Sequence, residues 1–156
     1  MATWQDFTDE APELAAAVRA RIEAHRHHVL ATLRKDGSPR VSGTEARLHG
    51  PDLTVGSMWQ AVKARDLQRD GRYALHANPG DGSMEGGDAK VAGRAVEVTD
   101  ERELAAYQAA TQPPPGPFHA FRLELDEVVL TEVVGGDRLL IRTWRPGQGV
   151  TAVERR

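Results

Sequence analysis

The spacing of apolar residues changes once along the chain. Leu14, Val18 and Ile22 recur every fourth residue, which predicts an N-terminal helix over about residues 8–25. From about residue 28 onward the apolar residues fall in short runs bounded by turn-forming residues, which is typical of strands. The pair Asp36-Gly37 joins the first two of these runs and is typical of a hairpin turn.

The remaining pattern predicts six to eight strands and two further helices. After the opening hairpin, we expect a strand over 52–57, a helix over 59–70, strands over 73–77 and 88–98, a helix over 101–110, and strands over 118–134, 138–144 and 150–154. Most neighbouring strands are linked by hairpins, and regular βαβ alternation is absent. The pattern therefore predicts one domain over 1–156: an antiparallel barrel over about 28–156 with helical insertions.

The amino-acid composition excludes several classes of site and of partner. The chain has 156 residues, a formal net charge of −3 and no cysteine. Without cysteine there is no disulfide, thiolate nucleophile or cysteine-ligated metal. The charge gives no general attraction to nucleic acid or to an anionic membrane, so we expect neither as a partner. There is no signal-peptide pattern and no apolar run of about 20 residues, so we expect a cytoplasmic protein.

One basic cluster stands out against this acidic total. Four cations lie within ten residues: Lys63, Arg65, Arg69 and Arg72. Lys63 lies in the first turn of the predicted helix, where free N–H groups attract anions, and the preceding strand ends at Ser57. These two residues predict a phosphate site. The alternative is a solvated helix face on which Asp66 and Asp70 balance the arginines.

Other candidate sites are weaker. His25, His27 and His28 have no acidic partner at ligand spacing, so we predict no metal site. The glycine-rich segment 78–87 lacks the strand-loop-helix context of a phosphate loop. No nucleophile motif of the form G-x-S-x-G occurs, and no catalytic side chain is assigned.

Three segments together resemble the flavin-binding split-barrel superfamily that includes pyridoxamine 5′-phosphate oxidase. They are the hairpin VLATLRKDGSPRVSG, the strand LTVGS and the helix KARDLQRDGRYAL. The family helix has the form K-x-x-N-L-x-x-(D/N)-P-R-V, which this chain matches at Lys63, Leu67, Asp70 and Arg72. The resemblance covers most of residues 28–148.

The resemblance implies a mainly β, homodimeric split barrel that binds a flavin-type cofactor at the subunit interface. Lys63 and the strand end at Ser57 would hold the cofactor phosphate, and the second strand would line the ring. Lys90 would approach the partner's cofactor, and Trp144 would pack beside it or belong to the core. The implied cofactor-binding residues are Arg40, Val41, Ser42, Gly43, Thr44, Gly56, Ser57, Met58, Lys63, Arg65, Lys90 and Trp144.

Departures from the family pattern narrow the expected activity. Val62 stands where pyridoxamine 5′-phosphate oxidase itself has an arginine, and Glu45 stands where it has a lysine. The carboxy-terminal segment that grips the pyridoxal substrate has no counterpart. The resemblance therefore implies an oxidoreductase that transfers hydride to or from a small conjugated substrate, and not vitamin B6 oxidation.

The cofactor is expected to be FMN or the deazaflavin F-420. Actinobacterial relatives that use F-420 often begin the helix with a lysine and an arginine, as KAR does at 63–65. A basic rim of Arg65, Arg69 and Arg72 would suit the polyglutamate tail of F-420, which favours that cofactor. Two other functions stay open: a non-catalytic flavin-, F-420- or haem-binding protein on the same barrel, and a nucleic-acid-associated protein that uses the basic stretch.

Overall fold

The computed structural model describes residues 1–156 as eight strands and four helices. The helices are α1 (Trp4–Glu10), α2 (Pro12–Glu23), α3 (Val62–Arg69) and α4 (Glu101–Thr111). The strands are β1 (His27–Leu33), β2 (Pro39–His49), β3 (Asp52–Met58), β4 (Arg72–His76), β5 (Asp88–Glu97), β6 (Phe118–Val134), β7 (Arg138–Arg145) and β8 (Gly149–Arg155). None of the helices has the length and apolar character that crossing a membrane requires.

Six strands close into a barrel. They follow the order β3-β2-β1-β4-β5-β6, and a pairing between β3 and β6 closes the ring. Strands β7 and β8 continue the sheet beyond β6 as an open hairpin. Every pairing is antiparallel, which confirms the predicted antiparallel split barrel.

The prediction of one N-terminal helix over 8–25 was wrong, because the segment forms two helices that meet at Ala11. Thr3 caps α1, and its side chain and that of Asp6 form a reciprocal capping box. Pro12 opens α2, because its ring disfavours a helical conformation at the residue before it. Its missing N–H costs nothing in the first turn, where that group has no partner within the helix. Ala11 accordingly takes φ −141° and ψ 65°.

The helix predicted over 59–70 is shorter than expected and begins at Val62. Gln60 has φ 60°, in the left-handed region, so residues 59–61 form an irregular link and not a helical turn. At the other end, Asp70 is extended and the chain turns directly into β4.

The core fills the barrel and continues under the first two helices. Phe7 of α1 is fully buried against Trp144 of β7, with 4.7 Å between ring centroids. Val18 and Ile22 of α2 belong to the same cluster as Leu30 of β1. Trp144 has no exposed surface, so the structure supports its interpretation as a core residue.

The Asp66 carboxylate joins α3 to the barrel wall. Its Oδ2 accepts hydrogen bonds from Thr32 Oγ1 at 2.8 Å and from Arg40 Nε at 2.7 Å, and its Oδ1 accepts from Arg69 at 2.7 Å. Only 1% of the residue is exposed, so Asp66 does not belong to a solvated face. Burial opposes ionisation, but the hydrogen bonds from Arg40 and Thr32 outweigh it and lower the pKa of Asp66.

We predict that Asp66→Ala lowers the free energy of unfolding by about 3 kcal/mol, because it leaves Arg40 and Arg69 without their buried partner. Because folding lowers the pKa of Asp66, its contribution is complete above the unfolded value of about 3.9 and is lost as pH falls below it. Urea unfolding should therefore be measured for wild type and Asp66→Asn from pH 7 to pH 3. The difference between their free energies of unfolding should shrink below about pH 4. A difference that stays constant over that range would contradict this assignment.

Candidate functional site

A groove of about 860 Å³ lies on the outside of the barrel, between β2, the end of β3 and α4. Six of the residues that the sequence assigned to the cofactor line it: Gly43, Thr44, Gly56, Ser57, Met58 and Lys63. These residues come from two paired strands and from the helix that follows the second strand. The strand end and the helix start predicted from sequence are therefore brought together in one site.

Lys63 is half-buried at the wall of this groove. Its Nζ donates a hydrogen bond to the backbone carbonyl oxygen of Gly43 on β2 at 2.8 Å. An ammonium has three N–H donors, and this bond uses one of them. Burial lowers the pKa of Lys63, and the nearby carboxylate of Glu45 opposes that effect. An anion bound at the ammonium would stabilise its charged form in the same way.

The other groove residues fit an aromatic cofactor with polar edges. Gly43 has open space where a side chain would begin, because a Cβ there would meet no atom within 4 Å. Thr44 is buried, and its hydroxyl has no hydrogen-bond partner in the chain. Open space over a strand suits a flat ring, and an unpartnered hydroxyl suits a ligand that supplies a donor or an acceptor.

The wall opposite β3 was not predicted as part of the site. Tyr107 of α4 and the proline-rich segment 113–117 line the groove, followed by Phe118 at the start of β6. The left-handed backbone of Gln112, with φ 50°, ends α4 and directs the prolines along the groove. The sequence signal was present, since prolines after a helix indicate a rigid extended segment, but its position over β3 depends on tertiary packing.

Several assigned residues lie outside the groove. Arg40 is held by Asp66, and Arg65 donates to the side chain of Gln60 at 3.2 Å. Lys90 is exposed on β5, paired in register with His76 of β4, so within one chain it does not reach the groove. Three further assigned residues do not line the groove: Val41, Ser42 and Trp144.

The arginines do not form a continuous rim with Lys63. Arg69 is bound to Asp66, and Arg72 forms an ion pair with Asp70 at 2.7 Å. Both arginines line a different hollow of about 520 Å³, together with Arg94 of β5. Around the Lys63 groove, the additional cations are Arg26 and Arg47, which the sequence analysis did not select.

The closed six-stranded barrel and its lateral groove define a split-barrel protein. The sequence profile of pyridoxamine 5′-phosphate oxidase matches residues 14–132. The chain belongs to this family. No functionally curated protein matches the sequence.

Solved structures share the fold at low sequence identity. An FMN-binding, pyridoxamine 5′-phosphate oxidase-related protein from Nostoc punctiforme is 15% identical, with a TM-score of 0.65 over 94% of this chain and 96% of that one. PhzG from Burkholderia lata, in complex with tetrahydrophenazine-1-carboxylic acid, is 16% identical, with a TM-score of 0.64 over 96% of this chain and 91% of that one. A heme binding protein from Mycobacterium smegmatis is 22% identical, with a TM-score of 0.56 over 88% of this chain and 57% of that one.

We predict that Gly56→Ala destabilises the groove wall. A Cβ at this position would lie 2.6 Å from the hydroxyl oxygen of Tyr107, so the Tyr107 ring, or α4 with it, must shift. Overpacking of this kind costs about 1–3 kcal/mol, which chemical denaturation would measure. The matched control is Gly43→Ala, where a Cβ meets nothing and the expected change is within about 0.5 kcal/mol. Equal stability of the two variants would contradict the packing of Tyr107 on Gly56.

Proposed function

We propose that this chain binds a flavin-type cofactor, FMN or F-420, in the groove and acts as an oxidoreductase on a small conjugated substrate. The observation that carries the proposal is the half-buried Lys63 ammonium, which faces open space over Gly43 and keeps two N–H donors free. Family membership supports a flavin-type ligand, and the FMN-binding relative from Nostoc punctiforme shares the fold.

Each groove residue has a distinct part in this proposal. Lys63 neutralises the cofactor phosphate as a point charge, and the end of β3 at Ser57 borders the same position. Gly43 leaves room for the ring, and the polar edge of the ring would lie beside the buried, unpartnered hydroxyl of Thr44. The bound cofactor would supply hydride transfer, while the chain supplies position and electrostatics, so a dedicated acid or base is not required.

The arginine contacts weaken the sequence-based preference for F-420. Two arginines of the expected rim are paired with Asp66 and Asp70 and line another hollow. A polyglutamate tail would therefore have to meet Arg26 or Arg47 at the groove. FMN needs no such rim, since its charge is confined to one phosphate. We therefore treat FMN and F-420 as equal candidates.

A homodimer is the second part of the proposal. Four apolar side chains on or next to the elements that form the groove are exposed: Val41 of β2 by 69%, Met58 by 81%, Trp59 by 52% and Val62 of α3 by 56%; of these, Met58 and Trp59 line the groove itself. Exposed apolar groups clustered around a binding site are typical of an interface. A second copy of the chain that covers them would complete the groove and bring its own β5, with Lys90, towards the cofactor.

We predict that one of the two cofactors binds at micromolar concentration and that Lys63→Ala weakens it. The expected loss is about 1.5–3 kcal/mol, the range for hydrogen bonds to charged groups. Absorption and fluorescence titrations with FMN and with F-420 would measure it. Lys35→Ala is the matched control, because Lys35 lies exposed at the tip of the β1–β2 hairpin. An affinity that Lys63→Ala leaves unchanged would refute the assigned role.

A non-catalytic binding protein is the second candidate. The fold is shared with the heme binding protein from Mycobacterium smegmatis, and the exposed imidazole of His27 lines the groove. A titration with haem under the same conditions would distinguish the two. Saturable haem binding without FMN or F-420 binding, or a bound flavin that no electron donor reduces, would favour this candidate over the oxidoreductase.

We also predict that the protein is a dimer in solution and that Met58→Glu dissociates it, because a buried, unpaired carboxylate is costly. Light scattering coupled to size exclusion would report the mass, compared with 17.0 kDa for one chain. Lys63→Ala should remain dimeric, which separates loss of the cofactor from loss of the interface. A monomeric wild-type protein with full cofactor affinity would contradict the interface.

A further inference from the structure

The link between β3 and α3 is held in a strained conformation. It consists of residues 59–61, and the first turn of α3 with Lys63 follows directly. Gln60 has φ 60°, a left-handed backbone conformation that is uncommon and energetically unfavourable for any residue other than glycine. Such a conformation persists only where neighbouring groups hold it in place.

His119 of β6 makes the contacts that hold it. Its Nε2 accepts a hydrogen bond from the backbone N–H of Gln60 at 3.1 Å. The indole of Trp59 stacks on the imidazole, with 4.5 Å between centroids and 10° between planes. His119 is buried, with 6% of its surface exposed, so water does not compete strongly for these contacts.

Glu97 determines which nitrogen of His119 accepts. Its Oε2 lies 2.7 Å from Nδ1, and a carboxylate only accepts, so Nδ1 carries the hydrogen and Nε2 is free to accept from Gln60. The other oxygen, Oε1, accepts from the Gln68 amide of α3 at 2.9 Å. The same carboxylate therefore connects His119 to the helix that carries Lys63.

We propose that His119 is a positioning residue for cofactor binding. By holding the N–H of Gln60, it fixes the point at which α3 begins and so places the Lys63 ammonium over the groove. Lys63 follows Gln60 by three residues, and the intervening backbone is anchored by a hydrogen bond from Ala61 N–H to the Met58 carbonyl oxygen at 3.1 Å. Point-charge recognition of a phosphate is sensitive to displacements of about 1 Å.

This inference rests on the proposed function and concerns the phosphate end of the cofactor alone. It can be tested with FMN and with riboflavin, which lacks the phosphate. His119→Gln keeps an acceptor near the position of Nε2, whereas the shorter side chain of His119→Asn does not reach Gln60. If the protein takes F-420, the corresponding pair is F-420 and its deazaflavin chromophore without the phosphate arm.

We expect His119→Asn to weaken FMN binding about tenfold, whereas His119→Gln stays within about threefold of wild type. Riboflavin binding should be the same for all three proteins, which a general loss of structure would not produce. Wild-type FMN affinity in His119→Asn, an equal loss of riboflavin affinity, or loss of FMN affinity in His119→Gln would overturn the inference. A wild-type protein that binds no flavin or deazaflavin would overturn the proposed function itself.

Discussion

The site depends on the burial of one carboxylate, Asp66, against the barrel wall. This residue lies on a short helix that would have little stability alone, and its oxygens bind groups on β1, on β2 and on α3 itself. A buried charge with several donors strongly disfavours any arrangement that separates them. The contact therefore fixes the rotation of α3, and this rotation turns Lys63 towards Gly43 of β2.

Two anchors hold α3, and they act on different parts of it. Asp66 ties the middle of the helix to β1 and β2, whereas the His119–Glu97 pair ties the preceding link and Gln68 to β5 and β6. All four of these strands belong to the closed ring, so the lysine is positioned by the barrel as a whole. A binding site built this way gains precision from the scaffold and needs few residues of its own.

The family fold allows more than one activity, so the groove decides what this member does. Structures of the same fold include an FMN-binding protein, PhzG with a bound carboxylic acid and a heme binding protein, all with low identity to this chain. Here, the positions that differ from pyridoxamine 5′-phosphate oxidase itself, Val62 and Glu45, lie beside Lys63 in sequence or in space. The proposed cofactor role therefore rests on Lys63, whereas its neighbours Val62 and Glu45 depart from the family pattern.

Local sequence patterns determined the strands, the antiparallel hairpins and the position of α4, because alternation and turn residues are short-range signals. Order along the chain also predicted that Ser57 and Lys63 lie together, whereas Gly56 was assigned through the family resemblance. Tertiary packing decided the rest. Asp66 and Asp70 look alike in sequence, yet only Asp66 is buried, since the choice depends on which helix face meets β1 and β2. Likewise, Tyr107 and His119 are distant from Lys63 along the chain. Only closure of the barrel brings Tyr107 to the groove and His119 to the link before α3.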